Sequence, residues 1–309
     1  MIRHLLLTIW GFSQGLAPIP SNTLDDDDAA ETCAACHEQE YREWQKSRHS
    51  QAWNNEVFQE GFDREPMLFC VHCHAPTSDQ PQQLRQGRGS IENEGVSCRV
   101  CHVRDQMIIT DGDSGGFHDA VAVSELSTSR FCANCHEFNA VHESMRSLSR
   151  TSVPMQTTYS EWLRYRELGG EETCQSCHMP GGSHEFPGIH GRKLGGDAIH
   201  IEIEKADGGA SLILRNVGAG HAIPTGDVFR MLTLEVEQAG GKWMTLTKFR
   251  KRYDVHVNGE VTRQFIAEDN RLFPGMDKRV DLPGDATAYR LRFQQSPSRS
   301  LIIKQGAIE

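Results

Sequence analysis

The chain has 309 residues, and the usual size of folded units therefore suggests two domains. Its formal net charge is −10 at pH 7, which argues against a nucleic-acid partner, because phosphate binding requires a basic surface. It contains no run of about eighteen apolar residues, so the sequence predicts no membrane-spanning helix. An acidic chain of this kind is expected to meet its partners through basic patches on their surfaces.

The N-terminus has the pattern of an export signal. A short basic start at residues 1–4 precedes an apolar stretch from Leu5 to Phe12, and small residues follow at Gly15 and Ala17. An acidic run from Asp25 to Asp28 comes next, and we interpret it as a solvated linker. Residues 1–25 are therefore predicted to be a signal peptide and linker, and the protein to be exported to the periplasm or the cell exterior.

The sequence Cys-x-x-Cys-His occurs five times and uses all ten cysteines. This spacing is the attachment site of a c-type haem: two thiols on one helical turn can bond the two vinyl groups, and the histidine falls under the iron. We therefore predict five covalent haems c. The attachment pairs and proximal histidines are Cys33, Cys36 and His37; Cys70, Cys73 and His74; Cys98, Cys101 and His102; Cys132, Cys135 and His136; Cys174, Cys177 and His178.

Three other uses of cysteine pairs explain this pattern less well. A zinc ribbon combines two pairs for each metal and therefore needs an even number of pairs. Thioredoxin-like redox chemistry needs one such pair in a βαβ unit. A scaffold of disulfides is arithmetically possible with ten cysteines, but it does not explain why a histidine follows each pair.

Residues 26–198 are predicted to form a mostly α pentahaem domain with little regular structure beyond short helices. Helices are expected to start at each motif, over Glu38 to Trp53, and over Thr158 to Leu168 before the Gly169-Gly170 pair. Strands are expected to be almost absent here. Each haem has too few residues for a core of its own, so the haems themselves are expected to supply much of the interior.

Sealed electron-transfer haems usually need a second axial ligand, which is often histidine. The favoured candidates end the first helix or lie in glycine-rich loops, and they are His49, His118, His184 and His190. His72 lies inside the second motif and is either a ligand to a neighbouring haem or an exposed side chain. His142 is more consistent with a structural role, and His256 with an ordinary strand position.

This region resembles the multihaem cytochromes of the cytochrome c-554 family over residues 31–190. The first motif continues through Tyr41, Trp44, Ser47 and His49; the other matching segments are Gly95-Val96-Ser97-Cys98, Pro154-Met155-Gln156-x-Thr158-Tyr159-x-Glu161-Trp162 and Cys174-Gln175-Ser176-Cys177-His178-Met179-Pro180. The resemblance implies closely packed haems, mostly with two histidine ligands, that carry electrons. It also implies that His49 is a distal ligand.

Residues 199–309 contain no cysteine and are predicted to form an all-β, sandwich-like domain. The expected strands are short, are separated by turns, and cover residues 199–204, 211–217, 231–236, 243–249, 253–257 and 289–293. Between two of them, His221 lies in the loop Gly218-Ala219-Gly220-His221-Ala222-Ile223-Pro224-Thr225-Gly226. A similar stretch accompanies this kind of haem domain. We therefore interpret His221 as a distal ligand that reaches back to the haems, against the alternative of an incidental histidine in a hairpin connection.

The sequence favours an exported multihaem cytochrome that carries electrons between redox partner proteins, such as other multihaem cytochromes or a membrane quinol-oxidising complex. In this interpretation no residue is catalytic. The first alternative is an enzyme that reduces or oxidises a small nitrogen or sulfur compound at a five-coordinate haem. The second is a structural unit of a haem-bearing filament or surface complex. The candidate distal ligands equal the haems in number, which favours electron transport.

Overall fold

The computed structural model describes residues 30–77, 95–112, 118, 120–144, 147–189, 197–207, 209–258 and 261–308. At 142–144, 147–150, 255–258 and 261–264 it describes the backbone alone. We call the described residues up to 189 the helical region and those from 197 onwards the β region. No helix in these residues is long and apolar enough to cross a membrane.

The helices of the helical region are short, and most of them include or adjoin a Cys-x-x-Cys-His motif. They are α1 (Ala30–Ala34), α2 (Glu38–Lys46), α3 (Glu56–Arg64), α4 (Leu68–His74), α5 (Cys98–His102), α6 (Ser129–His136), α7 (Thr158–Glu167) and α8 (Cys174–His178). The helix predicted after residue 158 is confirmed. The helix predicted over 38–53 ends at Lys46, because Ser47 is extended and its hydroxyl accepts a hydrogen bond from the Ser50 N–H, which competes with helical pairing.

Strands also occur in the helical region, where the expectation that they would be almost absent was wrong. They are β1 (Val103–Arg104), β2 (Met107–Thr110), β3 (Val121–Ala122) and the hairpin of β4 (Glu137–Ser144) and β5 (Ser147–Thr157). Pro154 lies within β5, where the pairing with β4 shifts register opposite Asn139. A proline within a sequence of strand-forming residues usually argues against a strand, because it cannot donate a backbone hydrogen bond. A strand tolerates proline where the pairing is irregular, as it is at this register shift.

The β region consists of antiparallel strands, in agreement with the predicted fold class. They are β6 (Ile199–Ala206), β7 (Gly209–Asn216), β8 (Met231–Gln238), β9 (Lys242–Phe249), β10 (Lys251–Asn258), β11 (Val261–Asp269), β12 (Asp277–Asp281), β13 (Ala286–Ser296) and β14 (Arg299–Ala307). One sheet has the order β12-β7-β6 and another the order β14-β13-β8-β9, while β10 and β11 form a two-stranded ribbon. The six predicted strands are present, and β11, β12 and β14 were not predicted.

The two larger sheets of the β region share one hydrophobic core. Its twelve buried side chains come from both sheets and from the loops beside them: Ile199, Leu212, Leu214, Ile223, Leu232, Leu234, Val236, Phe249, Leu272, Tyr289, Leu291 and Phe293. The corresponding cluster in the helical region has three buried members, Trp53, Val71 and Ala75, packed against Phe58 and Phe62. The larger of these two buried apolar clusters therefore lies in the β region.

Candidate haem-binding sites

Four of the five motifs lie on a helix that ends at the motif's histidine. Helices α5 and α8 begin at the first cysteine of the motif, whereas α4 and α6 begin two and three residues earlier. The expectation that a helix starts at each motif was therefore correct only for α5 and α8. In the first motif the turn is closed by a hydrogen bond of 2.9 Å from the His37 N–H to the Cys33 carbonyl. Each motif thus presents its cysteines and histidine from one helical turn, as covalent haem attachment requires.

Cysteines of different motifs contact one another. The thiols of Cys73 and Cys135 lie close enough to shift each other's pKa, as do those of Cys132 and Cys174, so the fourth motif lies beside both the second and the fifth. No two of the ten cysteines are joined by a disulfide bond. Within the described part of the chain, no group of three or more histidine, cysteine or acidic side chains is arranged around a common metal position. The second, fourth and fifth motifs are therefore packed closely together.

Three of the proximal histidines have their Nδ1 atom hydrogen-bonded to a backbone carbonyl. The distances are 2.7 Å from His74 to Ala52, 3.2 Å from His102 to Ile109, and 2.7 Å from His178 to Pro187. A carbonyl can only accept, so Nδ1 carries the proton and the Nε2 lone pair is available for a metal. Such bonds fix both the tautomer and the direction of a ligand ring.

The Nδ1 atom of His136 lies 3.0 Å from the side-chain amide of Gln156. Rotating that amide places its oxygen against Nδ1, so Gln156 can fix this ring in the same way as the carbonyls do elsewhere. Sequence analysis did not assign Gln156 a role. The available signal was its position in the Pro-Met-Gln segment shared with the cytochrome family.

The structure places four of the predicted distal histidines beside four different proximal histidines. The distances between ring centres are 6.1 Å for His37 and His118, 6.3 Å for His136 and His49, 6.2 Å for His102 and His184, and 6.2 Å for His178 and His221. A histidine nitrogen binds a metal at about 2.0 Å and the ring centre lies roughly 1.1 Å behind that nitrogen, so two rings on opposite sides of one metal have centres about 6.2 Å apart. The four pairs therefore have the spacing that a shared iron requires.

The electrostatic state of these rings also suits metal binding. Desolvation by the surrounding protein lowers the pKa of His49 to about 4 and that of His136 to about 3, so both imidazoles are neutral at pH 7 and can donate a lone pair. His136 is nevertheless an exposed residue. The buried Nδ1 of His184 has no hydrogen-bond partner in the described structure, which is the kind of orphaned group that a bound ion or cofactor explains.

His49 is held in place by the segment that leads into the third motif. The Val96 N–H donates to the His49 carbonyl at 2.8 Å, and the Trp44 indole donates to the Val96 carbonyl at 2.8 Å. Gly95 has a φ of +60°, and a Cβ added there would lie 2.4 Å from the His49 carbonyl oxygen. Only glycine therefore permits this approach, which explains the glycine ahead of the Val-Ser-Cys sequence.

His221 lies on the loop between β7 and β8. Residues of the β region stabilise this loop through hydrogen bonds. The Asn216 side-chain amide donates to the His221 carbonyl at 2.7 Å, and Ile223 and Leu272 exchange backbone hydrogen bonds of 2.9 and 3.0 Å. A Cβ added to Gly220 would lie 3.0 Å from the Tyr165 ring of α7. The loop thus passes close against the helical region, and that approach brings His221 to His178.

The second motif is different, because no described histidine is paired in this way with His74. Its ring is stacked on Phe58, with ring centres 3.8 Å apart. His190, another predicted distal ligand, lies outside the described residues. His72 is exposed, and its Nδ1 contacts the Leu68 carbonyl at 3.1 Å. The side chains of His142 and His256 are not among those described.

Part of the chain matches the sequence model of a known protein family. Residues 32–103 match the sequence model of the family described as Cytochrome c554 and c-prime. This segment is cytochrome c554-like. The protein is accordingly a c-type cytochrome with an electron-transfer role, which implies bound haem c and redox partners. The c554-like segment contains the first three motifs and His49, while the fourth and fifth motifs and the β region lie beyond it. No curated protein and no solved structure gives a significant match.

Proposed function

We propose that the chain is an exported pentahaem c-type cytochrome that carries electrons between redox partner proteins. The observation that carries the proposal is the set of four histidine pairs with centres 6.1 to 6.3 Å apart. Each pair joins a motif histidine to a histidine from elsewhere in the chain, and a donor set of two imidazoles suits haem iron. An iron with two protein ligands exchanges electrons without binding a substrate, so this arrangement favours transport over catalysis.

The residues of each site would act together to hold a haem and adjust its environment. Bound haem c supplies a reversible one-electron centre, whose potential depends on its axial ligands and burial. The ten cysteines fix the haems covalently. The five motif histidines serve as proximal ligands, and His118, His49, His184 and His221 serve as distal ligands to the first, fourth, third and fifth haems respectively. His190 is the remaining candidate for the haem at the second motif.

The proposal includes export and an arrangement in two domains. Residues 1–25 are proposed as signal peptide and linker, 26–198 as the haem domain and 199–309 as the β domain. The separate core of the β region supports this division. Covalent haem attachment takes place outside the cytoplasmic membrane in bacteria, which supports a periplasmic or extracellular location. The proposed partners are redox proteins, such as other multihaem cytochromes or a membrane quinol-oxidising complex, with basic patches that complement the net charge of −10.

The number of haems gives the first prediction. Because the chain has five motifs that use all ten cysteines, we expect the exported protein to contain five thioether-bound haems. A pyridine haemochrome assay and the intact mass should agree on this number. Substitution of both cysteines of one motif by serine should lower it by one. A mass equal to that of the bare polypeptide after acid and organic extraction would contradict the proposal.

A second candidate function, catalysis at a five-coordinate haem, is favoured by a single observation. His74 is the one motif histidine that lacks a paired histidine within the described residues, and Phe58 is stacked on its ring. Carbon monoxide binds reduced haem iron that has an open position. For a carrier in which His190 completes the haem at the second motif, we expect the reduced protein to bind no carbon monoxide. Uptake of about one equivalent, abolished when the Cys70–Cys73 pair is replaced by serine, would instead support an enzyme with its site at the second motif.

A further inference from the structure

We propose that Glu161 is a positioning residue that sets the direction of His221 and thereby maintains its bond to the fifth haem iron. This inference rests on the proposed role of His221 as a distal ligand and goes beyond it, because Glu161 lies on a helix of the other region and holds the loop of His221 through Ala222 and Thr225.

The Glu161 carboxylate is almost fully buried and accepts four hydrogen bonds. Its side chain is 4% exposed. One oxygen accepts from the Thr157 hydroxyl at 2.7 Å and pairs with the Arg271 guanidinium at 2.7 Å. The other accepts from the Ala222 N–H at 3.1 Å and from the Thr225 hydroxyl at 2.7 Å. The charge is thus compensated, and two of the four donors belong to the loop that carries His221.

Glu161 and Asn216 hold opposite ends of the same peptide group. The carbonyl of the peptide between His221 and Ala222 accepts from the Asn216 side chain at 2.7 Å, and its N–H donates to Glu161 at 3.1 Å. A peptide group is planar, so fixing both its polar atoms fixes its orientation. The backbone at His221 is therefore oriented jointly by the β region and by helix α7, and the imidazole Nδ1 contacts the carbonyl of the neighbouring Ala222 at 3.0 Å.

Helix α7 also contacts the segment that precedes His178, the motif histidine paired with His221. The Trp162 indole, next to Glu161, donates to the Glu172 carbonyl at 2.9 Å, and Glu172 lies just ahead of the fifth motif. The helix therefore contacts both the segment leading to His178 and the loop bearing His221. Glu161 therefore lies on the helix that contacts the supporting segments of both proposed ligands, His178 from the helical region and His221 from the β region.

The ion pair with Arg271 is suited to specifying a geometry rather than to adding stability. Arg271 has a side chain that is 5% exposed, pairs with both oxygens of Asp269 at 2.7 Å, and donates to the Pro224 carbonyl at 3.2 Å. A buried ion pair of this kind is often no more stable than apolar residues of the same volume, but removing one partner is strongly unfavourable. In this protein the ion pair favours the one position of the His221 loop in which Glu161 and Arg271 remain paired.

The test compares variants of the full haem-loaded protein by electron paramagnetic resonance. In Glu161→Gln we expect an unchanged haem content and a roughly tenfold or greater rise in the high-spin fraction of one haem. The reason is that the loop position in which His221 binds the iron is then no longer favoured over other positions. Free imidazole should restore the low-spin signal by replacing the missing ligand. Thr225→Val removes one donor and leaves the ion pair intact, and it should show the same change to a smaller extent.

The matched control is Glu235→Gln. Glu235 is also a poorly exposed carboxylate paired with arginines, Arg290 and Arg292, but within the strands of the β region and away from the loop. It should leave the spin state unchanged. In the double variant with His221→Ala, Glu161→Gln should add no further high-spin haem, since both changes act on one iron.

Two outcomes would overturn the inference in different ways. A wild-type spectrum for Glu161→Gln, together with high-spin haem in His221→Ala, would reject the positioning role and leave His221 as the ligand. A wild-type spectrum for His221→Ala would reject the ligand itself and this inference with it. If Glu161→Gln fails to accumulate, Thr225→Val decides: an unchanged spectrum in that variant rejects the positioning role.

Discussion

Production of this chain without haem attachment is expected to leave the helical region unfolded while the β region still folds. The described helical region has one cluster of three buried apolar residues, whereas the β region has a core of twelve. Hydrophobic burial is the main favourable contribution to folding, and small cores must be supplemented by other means. The covalent haems would supply that contribution here, as metals do in small metal-binding domains. Limited proteolysis followed by mass spectrometry should yield a resistant fragment that begins near residue 199.

The same experiment on the haem-loaded protein provides the control. We expect both regions to resist the protease when the haems are attached, because Glu161 and Arg271 join them through a buried ion pair. A second contact joins Glu60 of α3 to the hydroxyls of Ser296 and Ser298 at 2.8 and 2.7 Å. A cooperative unfolding transition in the helical region of the haem-free chain would contradict the prediction. Digestion of both regions of the haem-free chain at the same rate would reject the proposed independence of the β domain.

The sequence was most informative where chemistry requires a fixed spacing. A thioether-bound haem needs both cysteines and the histidine on a single turn, so candidate proximal sites could be proposed from spacing alone. The alternating pattern of the β region was also sufficient for six strands. Strand β11 escaped prediction because Thr262, Arg263 and Gln264 interrupt its alternation, and β12 because it is short and mostly charged.

The pairing of ligands could not be read from the sequence in the same way. His118 precedes the fourth motif but lies beside His37 of the first, and His49 follows the first motif but lies beside His136 of the fourth. These partners are brought together by long-range contacts, such as the bond from the Trp44 indole to the Val96 carbonyl. Local patterns do not encode such contacts, so the sequence could propose candidate distal histidines without assigning each to a motif.

Replacement of His221 by alanine is expected to convert one haem from low-spin to high-spin while leaving all thioether bonds intact. His221 lies with its ring centre 6.2 Å from that of His178, and no other described histidine is paired with His178 at such a spacing. The attachment cysteines of the fifth motif are untouched by the change. Electron paramagnetic resonance of the oxidised protein should therefore show a new high-spin signal equivalent to one haem, and the pyridine haemochrome assay should give the wild-type content.

The effect should extend to the contact between the two regions, because the proposed bond through the fifth iron joins them. We expect the β region of His221→Ala to become more sensitive to protease and to exchange amide hydrogens faster around residues 217–226, although Glu161 and Arg271 remain paired. His200→Ala is the matched control, because His200 is an exposed histidine on β6 and its loss should change neither spectrum nor protection. An unchanged spin state in His221→Ala would make this histidine an ordinary residue of a hairpin connection, and one of His72 or His142 would then become the favoured ligand.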